Sequence, residues 1–284
     1  MVVGEVPVPH AYIFRPEVGN RLSRLLAVLR PKGEMVHSPC LAFAVRHPSA
    51  GTILIDTGLH PDASENLRKD FGVRMALLFR RLKPAAEAYE EQLRRVGVEP
   101  SQVERVIMTH LHVDHTSGMR LLPKARFACT RAEWKAATAA DAAGKGYVAR
   151  HLPSESRIDL IDFETAGETH GPFSRTIDLL GDGSIRLIST PGHTPGHMSV
   201  LLRLAGERQV LLVGDAAYTL RSVHTQSLPL ITANDELYRT SLRALKTFSE
   251  HEPEAILVPS HDPSAWHELR HVSESPRRAP MRAT

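Results

Sequence analysis

The segment Thr109-His110-Leu111-His112-Val113-Asp114-His115 constrains this chain more than any other part of it. Three imidazoles and a carboxylate fall within six residues, directly after the apolar run Val106-Ile107-Met108. Such a run stopping at a polar cluster reads as a short buried strand that feeds a loop. One histidine there would be an ordinary hydrogen-bonded residue. Three with an aspartate are hard to explain as packing, and their ligand type and density point to metal. His110 and His112 can converge on one ion where the loop curves, and Asp114 and His115 then face a second. Four groups do not complete the shells of two hydrolytic ions, so the fold must bring further donors to this loop.

Those donors stand where other strands end. The chain has 284 residues and 16 histidines. His193 lies in Thr190-Pro191-Gly192-His193-Thr194-Pro195-Gly196-His197, whose Gly and Pro residues set a tight loop. Asp215 follows the run Val210–Val213, and His261 follows Pro259-Ser260. A carboxylate with two oxygens is suited to bridge two cations, which singles out Asp215. Two stretches share one grammar. Cys40–Val45, a turn at Ser49-Ala50-Gly51 and Thr52–Ile55 form a hairpin ending in Asp56-Thr57-Gly58. Met198–Leu204, a turn at Ala205-Gly206-Glu207 and Val210–Val213 form another, ending in Gly214-Asp215. Ile185–Ile188 and Ala255–Val258 are further strands. Between them lie helical patterns: Glu87–Val96, stopped by Gly97; a helix around Trp134 opened by a capping box Thr130-Arg131-Ala132-Glu133; and Asn234–Phe248, with Leu237, Leu242, Leu245 and Phe248 near one face. Strands interleaved with helices indicate a layered α/β domain.

Composition excludes several classes. The chain is 42% hydrophobic and 24% charged, an ordinary globular balance, and its net charge of +3 makes no case for nucleic acid. No apolar run approaches the ~18 residues of a membrane helix. The N-terminus lacks the basic and apolar regions of a signal peptide. Cys40 and Cys129 are far apart without a CxxC spacing and read as buried reduced thiols of a cytoplasmic protein. One domain is expected over residues 1–272, with a disordered tail at 273–284. A basic segment at about 60–83 places Met75, Leu78, Phe79 and Leu82 at helical spacing. It reads either as a surface helix packed on the core or as a lid whose Phe71, Met75, Leu78 and Phe79 line a substrate channel. Its apolar face could also serve a homodimer.

Together these motifs carry a family resemblance. HLHVDH, PGHTPGH, GDAAY and Ser260-His261-Asp262 stand in the order seen in metallo-β-lactamase-superfamily hydrolases, and Asp56-Thr57-Gly58 resembles an early motif of that family. The resemblance covers roughly residues 38–270 and implies an αββα four-layer sandwich with the site on a shared edge of two sheets. Carried over by position, His110, His112 and His193 would hold one metal. Asp114, His115 and His261 would hold the second, Asp215 would bridge, and Asp56 would support the ligands from behind. Two divalent ions are implied, zinc first, with Co, Fe and Mn also suited to these donors. His197 reads as a hydrogen-bonded structural residue. His10, His37, His47, His151, His251, His267 and His271 read as surface or local residues.

The complete HxHxDH favours a hydrolytic site over the HxExD pattern of diiron oxygen reductases. Tyr218, three residues after Asp215, resembles the N-acyl homoserine lactonases, where that phenol contacts the substrate carbonyl. Cys40-Leu41-Ala42-Phe43, Gly181-Asp182-Gly183-Ser184 and His261-Asp262-Pro263 share that likeness. The implied activity is opening of the lactone ring of N-acyl-homoserine lactones by a metal-bridging hydroxide. Tyr218 would stabilise the oxyanion and Asp114 would relay a proton to the leaving alkoxide. Another lactone, an aryl ester or a phosphotriester on the same scaffold is the alternative. A glutathione thioester lacks a dedicated basic pocket, RNA processing lacks an RNA-binding arm, and a non-catalytic metal-binding protein would have little use for the whole ligand set.

Overall fold

The computed structural model describes residues 1–16 and 35–274, with side chains described as far as residue 270. Most of the tail expected from residue 273, and the His271 side chain, lie outside the described residues. The first strands are β1 (Val2–Pro9), β2 (Met35–Leu41), β3 (Phe43–His47), β4 (Gly51–Ile55), β5 (Lys83–Pro84), β6 (Arg105–Ile107), β7 (Arg126–Thr130) and β8 (Ile158–Ile161). They are followed by β9 (Glu168–His170), β10 (Phe173–Asp178), β11 (Ile185–Ser189), β12 (Met198–Arg203), β13 (Gln209–Gly214) and β14 (Ile256–Pro259). One sheet runs β3-β4-β6-β7-β8, a second runs β14-β13-β12-β11-β10-β9, and a small third runs β2-β1-β5.

Side-chain alternation along these strands builds the layers. Ile53, Ile55 and Ile107 of the first large sheet face Leu187, Val200, Leu212 and Val258 of the second, closing a core between the sheets. Leu54 and Val106 point the other way and pack under Tyr89 and Leu93. Leu211, Val213 and Leu257 point outward from the second sheet onto Tyr238, Leu242, Leu245 and Phe248. Consecutive residues thus serve different cores, and a slip of one residue would exchange them. Each such buried side chain contributes ~1.5–3 kcal/mol. The result is the helix–sheet–sheet–helix order of an αββα sandwich.

The helix Asp235–His251 starts where the Asn234 side chain accepts from the amides of Glu236 and Leu237. Its buried face is set by Tyr238, Leu242, Leu245 and Phe248, whereas Leu237, expected on that face, is 42% exposed. Two features differ more from expectation. β1 has no counterpart in the sequence reading, and it contains Pro7 and Pro9, a residue type rare inside strands. Both lie beyond the short pairing of Gly4 and Glu5 with β5, where no strand among the described residues pairs with that edge of β1 and a missing N–H costs nothing. The basic segment folds as helices Pro61–Glu65 and Leu67–Leu78, broken internally at Gly72 (φ 75°, ψ 165°) and ending at Phe79. Leu82 therefore falls out of register. Phe71 and Met75 are buried in the core, Phe79 is half-buried against it, and Leu78 is 57% exposed. The four do not form one apolar face. Among the described residues no helix is long and apolar enough to cross a membrane.

Candidate metal centre

The site is assembled from loops that leave strand ends side by side. β4 and β6 are parallel with Ile55 opposite Ile107, and the Asp56 amide donates to the Ile107 carbonyl at 2.8 Å. Asp56 adopts φ 54°, a left-handed conformation that Asp tolerates better than most residues. The turn directs its carboxylate at three donors: Thr109 N (2.8 Å), Thr109 Oγ1 (2.7 Å) and His115 Nδ1 (2.8 Å). His112 immediately precedes the short helix Val113–Thr116, which sets Asp114 and His115 on one turn. β13 and β14 are also parallel. Gly214 has φ 63°, and a Cβ there would stand 2.6 Å from His197 Nε2. The chain can thus turn at Gly214, accept the Ser260 amide at 3.2 Å and bring His261 beside Asp215.

The donor atoms then crowd together. His112 Nδ1 lies 2.9 Å from His193 Nε2, and His193 Nε2 lies 3.3 Å from Asp215 Oδ2. His261 Nε2 is 3.2 Å from Asp215 Oδ2, and His115 Nε2 is 3.5 Å from Asp215 Oδ1. Asp114 Oδ2 stands 4.0 Å from the Nε2 atoms of both His115 and His261. Within each of three groups the donors lie no more than 4.8 Å apart: His110, His112 and His193; Asp114, His115 and His261; and His110, His115 and Asp215. His110 Nε2 and Asp215 Oδ1, both turned toward this cluster, are buried with no hydrogen-bond partner among the described residues. Orphaned buried atoms on converging imidazoles and carboxylates are what a bound cation would satisfy. Ligand bonds of ~2.0–2.2 Å imply donors spaced about as these are, so the residues fit a zinc-type ion.

Electrostatics divide the donors, and His261, despite its burial, is raised by Asp215. Burial drives His110, His193 and His112 below the ordinary imidazole range and keeps their lone pairs free. Burial opposes charge on His115 as well, but the carboxylates of Asp56 and Asp114 outweigh it and raise that ring. Asp215 is held well below the usual carboxylate range despite its burial, by His261 and His193.

Tyr218 borders the cluster. Its buried ring lies 5.1 Å from that of His261 and 5.7 Å from that of His193. Asp262 anchors this stretch by accepting the Leu220 amide at 2.8 Å. Sequence reasoning missed Tyr12, whose half-buried ring stacks on Tyr218 at 6.0 Å with 13° between the planes. Tyr12 is held there by a bond from the Leu230 amide to its carbonyl and by the nearby Arg15–Asp235 pair at 2.7 Å. Burial raises Tyr218 well above the ordinary phenol range and Tyr12 to about 12, so both keep their protons at neutral pH. His197 has no free ring nitrogen. Its Nε2 accepts the Asp215 amide, and its Nδ1 meets Thr190 Oγ1, both at 2.9 Å. His151 is a correction to the sequence reading, being wholly internal, with Thr116 on one nitrogen and Asp70 on the other. The Gly181–Ser184 turn meets His47 through Asp182, by the β3–β4 turn and at the opposite end of β4 from Asp56.

The pattern that defines the Metallo-beta-lactamase superfamily matches residues 36–261, and the chain belongs to that superfamily. Within it, the chain is 31% identical over 241 residues to N-acyl homoserine lactonase AttM of Agrobacterium fabrum (strain C58 / ATCC 33970), across 83% of this chain and 86% of the relative. It is 26% identical over 230 residues to an N-acyl homoserine lactonase of Bacillus thuringiensis, across 81% and 84%. A solved N-acyl homoserine lactone hydrolase, with the product N-hexanoyl-L-homoserine bound at its catalytic metal center, matches with a TM-score of 0.71. The match covers 94% of each chain at 21% identity and shows the common fold.

Proposed function

We propose that this chain is a dinuclear metal-dependent hydrolase that opens the lactone ring of N-acyl-homoserine lactones, a quorum-quenching activity. The observation that carries the reading is the position of Tyr218, a protonated phenol at the rim of seven converging ligand side chains. The names of the relatives support the substrate class.

His110, His112 and His193 would hold one ion, Asp114, His115 and His261 the other, and Asp215 both. Such a pair, when bound, supplies an ionised water near neutral pH and polarises an ester carbonyl. The protein's own groups do the rest. Tyr218 donates its O–H to the carbonyl oxygen as negative charge builds there, and the buried setting strengthens that bond. The ring C–O bond breaks as Asp114, at the edge of the cluster, takes the proton left on the attacking oxygen and passes it to the departing alkoxide. The product is the N-acyl-homoserine. Phe71 and Met75 are core residues, and the acyl tail is not assigned to them. Zinc is the first choice of metal. The two free, buried thiols Cys40 and Cys129 suit a cytoplasmic setting.

The test is a kinetic panel on metal-reconstituted protein. About two ions per chain are expected, with turnover of acyl-homoserine lactones exceeding that of p-nitrophenyl esters and phosphotriesters. Tyr218→Phe should lower kcat by ~10²–10³, the usual cost of one oxyanion donor, without changing metal content. Faster turnover of the esters or phosphotriesters than of every lactone would overturn the substrate assignment.

A further inference from the structure

Glu133 is wholly buried and has no part in the chemistry above. Its Oε1 accepts the Leu111 amide at 2.9 Å, and its Oε2 accepts the Gly196 amide at 3.2 Å. Leu111 stands between His110 and His112. Gly196 stands in the loop of His193. Thr130 tightens the same junction, donating its hydroxyl to the Gly196 carbonyl at 2.7 Å and accepting the Glu133 amide at 3.1 Å. The contact is made at backbone range. A Cβ at Gly196 would lie 2.1 Å from Thr130 Oγ1 and 2.2 Å from Glu133 N.

A buried carboxylate is costly, and burial pushes this one up, so an apolar side chain would serve packing alone better. What an apolar residue could not do is hold two amides on separate loops at a set distance. We infer that Glu133 is a positioning residue, a clamp that fixes the spacing between the His110–His112 pair and His193. The inference rests on the reading that these three histidines share an ion. Glutamate suits the task because both its oxygens accept. Glutamine offers one acceptor and one donor, so one of the two amides loses its partner whichever way the side chain turns. Aspartate is one methylene short.

The experiment compares wild type, Glu133→Gln and Glu133→Asp in two measurements: zinc affinity by chelator competition, and hydrogen exchange of the Leu111 and Gly196 amides in the metal-free protein. Glu133→Gln should weaken one of the two zinc sites by ~10–100-fold, as loss of a group supporting a ligand does. It should also speed exchange at one of those two amides. Glu133→Asp should lose both bonds in part and fall between wild type and Glu133→Gln. Ile185→Ala, in the separate core between the two large sheets, should lower Tm and leave zinc affinity unchanged. Thr130→Val keeps the carboxylate but loses the bond to Gly196, and should weaken the same site less; it decides the matter if Glu133→Gln does not fold. The inference is overturned if Glu133→Gln binds zinc as wild type does, or if Ile185→Ala weakens zinc binding equally. Wild type that takes up no zinc would sink the reading of the site itself, a different result.

Discussion

Asp56 accepts three donors with two oxygens, and Asp56→Asn tests what that arrangement does. Asparagine tolerates the same left-handed φ of 54°, so the backbone has no reason to move. Its amide has one acceptor oxygen. If that oxygen keeps the Thr109 amide, the NH₂ faces Thr109 Oγ1 and His115 Nδ1. The threonine hydroxyl can rotate to accept. His115 can accept only by moving its ring proton to Nε2, the atom 3.5 Å from Asp215 Oδ1, and a protonated nitrogen cannot bind a cation. Two bonds to a charged acceptor are lost, each ~1.5–3 kcal/mol, and the rotated hydroxyl recovers part, leaving ~3 kcal/mol. Urea unfolding of the metal-free protein should read that loss. Chelator competition should show the ion held by His115 bound ~10–100-fold more weakly. A change in stability below ~0.5 kcal/mol, the range of an ordinary surface substitution, together with unchanged zinc binding would show that Asp56 does not orient His115.

Other perturbations follow from the same geometry. Gly192 has φ 135°, and a Cβ there would stand 2.3 Å from the Tyr238 backbone nitrogen. Gly192→Ala should therefore cost ~3 kcal/mol and lift the His193 loop, read as a lower Tm and weaker zinc binding together. Asp262 accepts the amides of Ser264, Ala265 and Leu220, so Asp262→Ala should cost ~1 kcal/mol of helix capping. By freeing the Tyr218 stretch it should also lower kcat with both ions retained, as metal analysis and kinetics would check. Burial raises Cys129 to about 12 and Cys40 well above the ordinary thiol range. Neither should react with a disulfide reagent at pH 8 in the native protein, and two thiols per chain should appear on denaturation.

What the sequence reveals and what it hides divide along a physical line. Burial is decided residue by residue, so an apolar period is readable in place. Ile53, Leu54 and Ile55 alternate between two cores as the strand pattern requires. The ligand loop is equally legible, because four of its donors lie within six residues. Periodicity misleads where a backbone feature interrupts it. Met75, Leu78, Phe79 and Leu82 have helical spacing, yet the break at Gly72 and the end at Phe79 prevent a single stripe. Polar couplings across the chain leave no local trace at all. Thr130-Arg131-Ala132-Glu133 announces a helix start, and Thr130 does cap it. A capping box would turn the glutamate back on its own helix. Here its partners lie 22 and 63 residues away, and no spacing rule selects them. Tyr12 stacks on Tyr218 where the Leu230 amide bonds its carbonyl and Arg15 finds Asp235, 220 residues on. The ligands of a metal site can thus be read from their own chemistry, whereas the groups that hold them at the right distance emerge only once the sheets have closed. In this chain Glu133 is such a group, whereas Asp56 and Asp262 already stand in Asp56-Thr57-Gly58 and His261-Asp262-Pro263, motifs that the family resemblance marks.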